Sequence, residues 1–393
     1  MSPSRTAPLF SSPGKPGLIR PEGLILVLWA LLNGFFLARH GLVTTGEAAK
    51  YIEQARLFTD TGRLSSPNFY FYFIQIALLS LCMKLHLGFA FALAVQLFFN
   101  LAALLYFFKT LAVLFDPGMV ALAGALLLLL NIPYQEFNVY LQTESLFQSF
   151  SLLLSCYVLR TRSISTRSLG VLLPLLLILC LTRPIGLLYL PATFLYFFFL
   201  TMKKAGAWKK GIFLTGAAVL SLYILDRALG SGGEFDFLLP FREEHIICGS
   251  PTLPDPGPVT VTGNGNSIYG LFYYVLHHFG QFVRLAVLRS LAFWGLYRSY
   301  YSIPHNLFLC TYFFSICGMV LYGFFYRRRE LTPERWLYPS ALILLTWIMV
   351  MLTCDDWHNR VYLSISPYLI LLSLPALRSR LINASGTFFH TRY

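Results

Sequence analysis

The sequence predicts an all-α fold, a polytopic transmembrane helix bundle of about ten or eleven spans. Three observations carry this expectation. Of 393 residues, 56% are apolar and only 12% are charged, about half the charged share of a soluble domain, which leaves too little polar surface to cover a core in water. The aromatic share is 17%, with 36 Phe and 23 Tyr, and suits side chains facing lipid and the headgroup boundary. The net charge of +13 comes from basic residues gathered in short loops: Arg160, Arg162 and Arg167; Lys203, Lys204, Lys209 and Lys210; Arg327, Arg328 and Arg329; Arg378 and Arg380. That is the positive-inside pattern, which assigns those loops to the cytoplasm and argues against a nucleic-acid partner.

A cytoplasmic tail, 1–21, carries Arg5, Lys15 and Arg20 ahead of a first span at 23–39. No small-residue cleavage site follows, so the span reads as uncleaved. It delivers 41–69 to the outer side. From Glu47 to Gly62, Ala48, Tyr51, Ile52, Ala55 and Phe58 recur at helical spacing, with Lys50, Glu53, Arg56 and Asp60 between them. Such a helix is amphipathic and suited to lie along the membrane interface. Further apolar stretches occupy 70–86, 89–108, 117–131, 144–159, 169–182, 184–201, 211–229, 305–326, 336–353 and 361–377.

With 160–168 and 203–210 both inside, 169–201 is a hairpin broken at Arg183-Pro184 on the outer face. The same logic puts Glu144, Asp226, 230–300 and 354–360 outside, and a tail at 379–393 inside. Three crossings between 70 and 131 would put Glu144 inside, so one of those stretches must not cross, or two must join. The chain thus divides into a transmembrane module at 22–229, an outer loop with interfacial helices at 230–304, and C-terminal helices at 305–378. Residues 230–268 are rich in Gly, Pro and charge; 269–302 mixes aromatics with His277, His278, Arg284, Arg289 and Arg298. No internal repeat is visible, which counts against a secondary transporter. Five of the seven cysteines, Cys82, Cys156, Cys180, Cys310 and Cys317, sit in apolar stretches and read as small buried hydrophobes. Cys248 and Cys354 fall in loops on the same side, which leaves a disulfide between them open.

Charges at the outer ends of apolar spans are the informative residues, because burying them needs a reason. Glu47 has a structural reading, a capping box formed by Thr44-Thr45-Gly46-Glu47. Its functional reading is a carboxylate at the boundary, placed to take a proton from a hydroxyl. Glu144, in YLQTESLFQSF, opens an apolar helix where a negative charge favours the N-terminus. Arg183, in LTRPIGLLYLP, stands beside a Pro suited to a first helical turn. It either snorkels to lipid phosphates or binds one phosphate by charge-assisted hydrogen bonds. CDDWHNRVYL packs Asp355, Asp356, His358 and Arg360 into one short loop. Nothing elsewhere completes a metal set around it, so a divalent ion is not favoured and no cofactor is expected.

These phrases, in this order, resemble the C-type superfamily of membrane glycosyltransferases, nearest its protein-mannosyltransferase-like and lipid A aminoarabinose-transferase-like branch. The family's first outer loop carries an acid, a Tyr four residues on, an Ala and a Gly, here Glu47, Tyr51, Ala55 and Gly62. Glu144 matches a later acid that opens a helix, Arg183, Pro184 and Gly186 an Arg-Pro-x-Gly turn, and Arg360 with Pro367 an Arg before a Pro-containing last span. The resemblance covers about 20–200 and 355–377, and 230–330 matches nothing in the family. The first-loop acid is Glu where Asp is commoner, and Gly46-Glu47 stands where many members have paired acids. The large soluble C-terminal domain of oligosaccharyltransferases is lacking.

The resemblance implies a GT-C-like fold and transfer of a sugar from a polyprenyl-phosphate donor to a lipid, glycan or protein acceptor on the outer face. The membrane would be a bacterial cytoplasmic (inner) membrane. In that reading Glu47 is the base and Arg183 and Arg360 hold the donor phosphate. Glu144, Tyr51, Asp355, Asp356 and His358 line the acceptor or donor pocket. The alternatives are a polysaccharide polymerase or ligase using lipid-linked sugars, for which 230–300 would be the long outer loop, and a lipid or solute transporter.

Overall fold

The structure, a computed structural model, describes residues 20–115, 118–202, 239–248, 268–327 and 330–390, with isolated positions between 206 and 226. Arg5, Lys15, Lys203, Lys204, Lys210, Arg328 and Arg329, much of the stretch expected at 211–229, and 249–267 lie outside the described residues. In chain order the helices are α1 Pro21–His40, α2 Glu47–Thr61, α3 Phe73–Lys84, α4 Phe89–Leu114, α5 Gly118–Leu130, α6 Ile132–Glu136, α7 Thr143–Arg160, α8 Thr166–Cys180 and α9 Tyr189–Thr201. Beyond the 239–248 segment come α10 Ile268–His277, α11 Phe279–Gly295, α12 Ile303–Tyr326, α13 Pro333–Leu352 and α14 Arg360–His390. Among the described residues, extended backbone pairs only at two isolated bridges.

Six helical stretches among the described residues are long and apolar enough to cross a membrane: α1, α4, Pro184–Thr201, α12, α13 and Trp357–Ser379. A seventh is added if α5 and Ile132–Val139, bent by 66°, count as one span. The chain is a multi-pass membrane protein, and among the described residues fewer helices reach full span length than the apolar stretches suggest. The reason is length and polarity. α3 has 12 residues and α8 has 15, about 18 and 23 Å at 1.5 Å per residue, against a hydrocarbon core of about 30 Å. α7 has 18 residues but carries Glu144, Gln148 and four serines, and it is buried among other helices nearly throughout.

At 12 residues α3 is the stretch between 70 and 131 that falls short of a crossing by length without a bent partner. It packs mainly along α2 and more lightly on α4. Ile76, Leu79 and Cys82 of α3 cover the apolar stripe Ala48, Tyr51 and Ala55 of α2, with Ala92 and Leu141 completing the cluster. The amphipathic pattern of α2 thus marks a helix whose apolar face is covered by protein.

The other helices form one continuous core. At its centre is α14, buried on all sides from Val361 to Ala376, as expected of a helix without a polar stripe. α12 and α13 pack along it, and α4 packs along α7. Buried hydroxyls there satisfy one another: Ser155 and Tyr368 are 2.9 Å apart, Tyr189 and Tyr368 2.9 Å, and Ser155 and Tyr338 3.2 Å. α14 runs on to His390, so the segment after 378 continues the helix where a tail was expected.

Candidate active site

Four segments distant in sequence converge on one cluster, and backbone pairing explains how. The Val43 N–H donates to the Val139 carbonyl at 3.0 Å and the Leu141 N–H to the Val43 carbonyl at 3.0 Å. This parallel bridge pairs Val43 with Tyr140, and Glu47 and Glu144 each lie four residues further on. The Ile74 N–H donates to the Leu181 carbonyl at 3.0 Å, fixing the turn before Arg183. Pro184 opens the one-turn helix after it, as the sequence suggested. A Cβ on Gly186 would lie 2.4 Å from the Leu179 carbonyl oxygen, so this close approach of turn and helix requires glycine.

The fourth segment is held most heavily. Asp355 pairs with Ile247 in a second bridge, and the Cys248–Cys354 disulfide closes beside it. Arg298, fully buried, binds the Asp355 carboxylate and also donates to the carbonyls of Ala292 and Tyr297, both at 3.0 Å. Arg289 donates to the carbonyls of His245, Met351 and Pro240 at 2.8, 3.0 and 2.7 Å. His358 and Asn359 sit at φ 57° and 55°, a left-handed pair that strains the backbone. The Asn359 amide bonded to the Leu296 carbonyl at 3.0 Å and the His358 N–H bonded to Tyr300 at 3.1 Å hold it. The result aims Arg360, the first residue of α14, into the cluster.

There Arg183 donates to Glu144 Oε1 at 2.6 Å and to Asp356 Oδ2 at 3.3 Å. Arg360 donates to the same Glu144 Oε1 at 3.1 Å, to Asp356 Oδ1 at 2.8 Å, and to both carboxylate oxygens of Glu47. Glu144 is 2% exposed, whereas the Glu47 side chain is 42% exposed. Burial works against the charge on Arg183, but Glu144 and Asp356 together outweigh it and hold the guanidinium protonated. Asp356 is likewise disfavoured by burial, yet Arg360 and Arg183 keep its carboxyl below the usual range. Three carboxylates thus surround two guanidiniums, drawn from four segments, a concentration of largely buried charge of the kind that functional sites carry.

Two cavities flank the cluster. One, of about 160 Å³, is lined by Glu144, Arg183, Asp356 and Arg360, with Tyr72, Phe147, Gln148 and Ile185 among the remaining walls. The other, of about 940 Å³, is lined by Glu47 and Arg360, by Phe35, Phe137 and Phe308, and by His305 and His358. Across it His40 and Glu136 pair at 3.1 Å. Arg360 borders both cavities; Glu47 faces only the larger and Arg183 only the smaller. A cation pair on one side and an exposed carboxylate on the other suit phosphate binding and proton removal at adjoining positions.

Several local readings need correction. The N-cap of α2 is Gly46, at φ 64° and with no side-chain cap bond, so there is no capping box, and Glu47 turns to Arg360. Arg183 pairs with two carboxylates in the resting cluster instead of extending alone toward lipid. Asp355 lines neither cavity, because Arg298 draws it into the scaffold; its burial raises its carboxyl pKa to about 6. Tyr51 also lines neither. It is buried behind Tyr72, their rings 5.4 Å apart, and burial, then Glu144 and Glu47, pushes its phenol well above the usual range. Gln148 and Tyr72 were not singled out in the sequence, and Arg289 and Arg298 were noted only among the charges of 269–302, without the anchoring role they take here. A glutamine one turn after Glu144, on a helix that also carries four serines, was the signal for the first. Among the described residues no three His, Cys, Asp or Glu side chains group to hold a metal ion. Comparison with protein-family models, with curated proteins and with solved structures finds no match.

Proposed function

We propose that the chain is a GT-C-like membrane glycosyltransferase that moves a sugar from a polyprenyl-phosphate donor to an acceptor at the outer face, with α2 at the interface. The observation that carries this reading is the meeting of Glu47, Glu144, Arg183 and Arg360 between two cavities. The donor phosphate lies in the smaller cavity on Arg183 and Arg360, and the acceptor hydroxyl lies in the larger one against Glu47. The acceptor oxygen attacks the anomeric carbon; its proton passes to the Glu47 carboxylate; the bond from that carbon to the phosphate oxygen breaks, and its electron pair leaves with the lipid phosphate. The two guanidiniums stabilise the charge that develops there.

Before donor binds, Arg360 holds Glu47. An arriving phosphate competes for that guanidinium and releases Glu47 to act as base, so donor binds first. A transporter would place charge near mid-membrane along its path, whereas here charge concentrates between the two cavities. The test uses purified protein in nanodiscs with a panel of radiolabelled polyprenyl-phosphate sugars. Transfer of label from at least one donor, lost in Glu47→Gln, is expected; wild-type protein that releases label from none of them overturns the reading.

A further inference from the structure

Two buried acceptor atoms on residues that line the smaller cavity have no hydrogen-bond partner among the described residues: Glu144 Oε2 and Gln148 Oε1. Both residues are 2% exposed. They stand one turn apart on α7, the spacing at which side chains share a helix face about 5–6 Å apart, and both line the cavity with Arg183. The guanidiniums do not serve them. Both arginines use the other oxygen of Glu144.

Nor do the lining hydroxyls of Ser364 and Thr353. Ser364 donates to the Val361 carbonyl at 2.6 Å, and Thr353 to the Met349 carbonyl at 2.8 Å. Phe147, Ile185, Met349 and Val361 supply apolar wall. Buried acceptors are almost always met, and an ionised carboxylate can only accept. The pair therefore calls for a ligand with two donors on one edge, next to the group the guanidiniums hold.

We propose that Glu144 and Gln148 read two free hydroxyls of a single sugar ring whose phosphate lies on Arg183 and Arg360, and that Gln148 determines specificity for the donor sugar. This rests on the glycosyltransferase reading for its chemistry. A hydroxyl both donates and accepts, so it satisfies the Gln148 amide in either orientation. The hydroxyls of the donor sugar that face α7 are thus neither removed nor acylated.

The experiment compares wild type, Gln148→Leu and Gln148→Met with the best polyprenyl-phosphate sugar and with its monodeoxy analogues, thermal stability confirming that each variant is folded. A site built to bond a hydroxyl rejects the analogue that lacks it far more strongly than an apolar pocket does. Wild type should discriminate against one deoxy donor by about 10²-fold or more in kcat/KM, and both variants should reduce that to less than about tenfold while still discriminating at the position Glu144 reads. Discrimination unchanged in the variants, or absent in wild type, overturns the proposal.

Equilibrium binding of a hexose 1-phosphate, its deoxy analogue and inorganic phosphate separates this result from failure of the enzyme reading. Hexose 1-phosphate bound more tightly than the other two by wild type, but not by the variants, sustains the hydroxyl reading even if no transfer occurs. Equal binding of all three by wild type refutes it.

Discussion

Replacing Arg183 by Ala removes one side chain with two separable jobs. In the resting protein it donates to Glu144 at 2.6 Å and Asp356 at 3.3 Å. Hydrogen bonds to charged groups contribute about 1.5–3 kcal/mol each, and breaking a buried pair on one side typically costs about 3–5 kcal/mol. Glu144 would keep only its 3.1 Å bond from Arg360. During transfer, loss of one cation from the leaving phosphate should cost about 10²–10³ in turnover, as for a missing oxyanion donor. Arg183→Ala is therefore expected to melt well below wild type and to lose that factor in kcat at saturating donor. Adding Glu144→Gln separates the effects. Removing the stranded carboxylate should restore much of the stability, making the double variant less destabilised than the two single losses summed, but turnover should stay low. The assay is thermal unfolding in nanodiscs alongside lipid-phosphate release. Arg183→Ala turnover within a few-fold of wild type, or strictly additive destabilisation, refutes the reasoning.

Glu47→Gln should lose at least about 10² in turnover, the usual contribution of a general base, while binding donor as tightly as wild type or more so because Arg360 is no longer held by a carboxylate; weaker donor binding contradicts the exchange. Between about pH 4 and 6 Asp355, with its carboxyl raised from 3.8 to about 6 by burial, holds a proton in the folded protein where the unfolded chain has lost it. Its contribution to stability is full below about pH 4 and is lost as pH rises through about 6, and Asp355→Asn should flatten that part of the stability curve measured between pH 4 and 7. The Cys248–Cys354 bond spans 106 residues, so reduction should remove up to about 4–5 kcal/mol by loop-closure entropy, seen as a reductant-dependent drop in Tm that a Cys248→Ser, Cys354→Ser protein does not show. Gly186→Ala should destabilise by about 1–3 kcal/mol through overpacking, since its Cβ would meet the Leu179 carbonyl oxygen at 2.4 Å, and a Tm equal to wild type would contradict the tight turn.

Charge made much of the site legible. Glu47, Glu144, Arg183 and Arg360 stood out because ionised residues at the ends of apolar runs are rare and costly, and the four meet. Local sequence could not reveal the partners that chose their geometry. The Thr44-Thr45-Gly46-Glu47 phrase fits a cap by residue type, but Arg360, 313 residues away, takes the carboxylate. Asp355 and Asp356 are adjacent and look alike; a bridge to Ile247 and a buried Arg298 turn one into the scaffold and leave the other in the cavity. Among the described residues fewer helices reach span length than the apolar runs suggest, because run length does not report where a helix stops. α3 reads as a continuation of membrane sequence yet ends at Lys84 after 12 residues. Gln148 carries no charge, so it drew no notice until burial and an unmet acceptor marked it.

The central claim is that phosphate and acceptor occupy opposite sides of Arg360. Photocrosslinking with a polyprenyl-phosphate sugar bearing a diazirine on the first isoprene tests it most directly. The account predicts adducts on walls of the smaller cavity, at Phe147, Ile185 or Val361, abolished by Arg183→Ala. Adducts confined to Phe35 and Phe308 of the larger cavity, insensitive to Arg183, would contradict it.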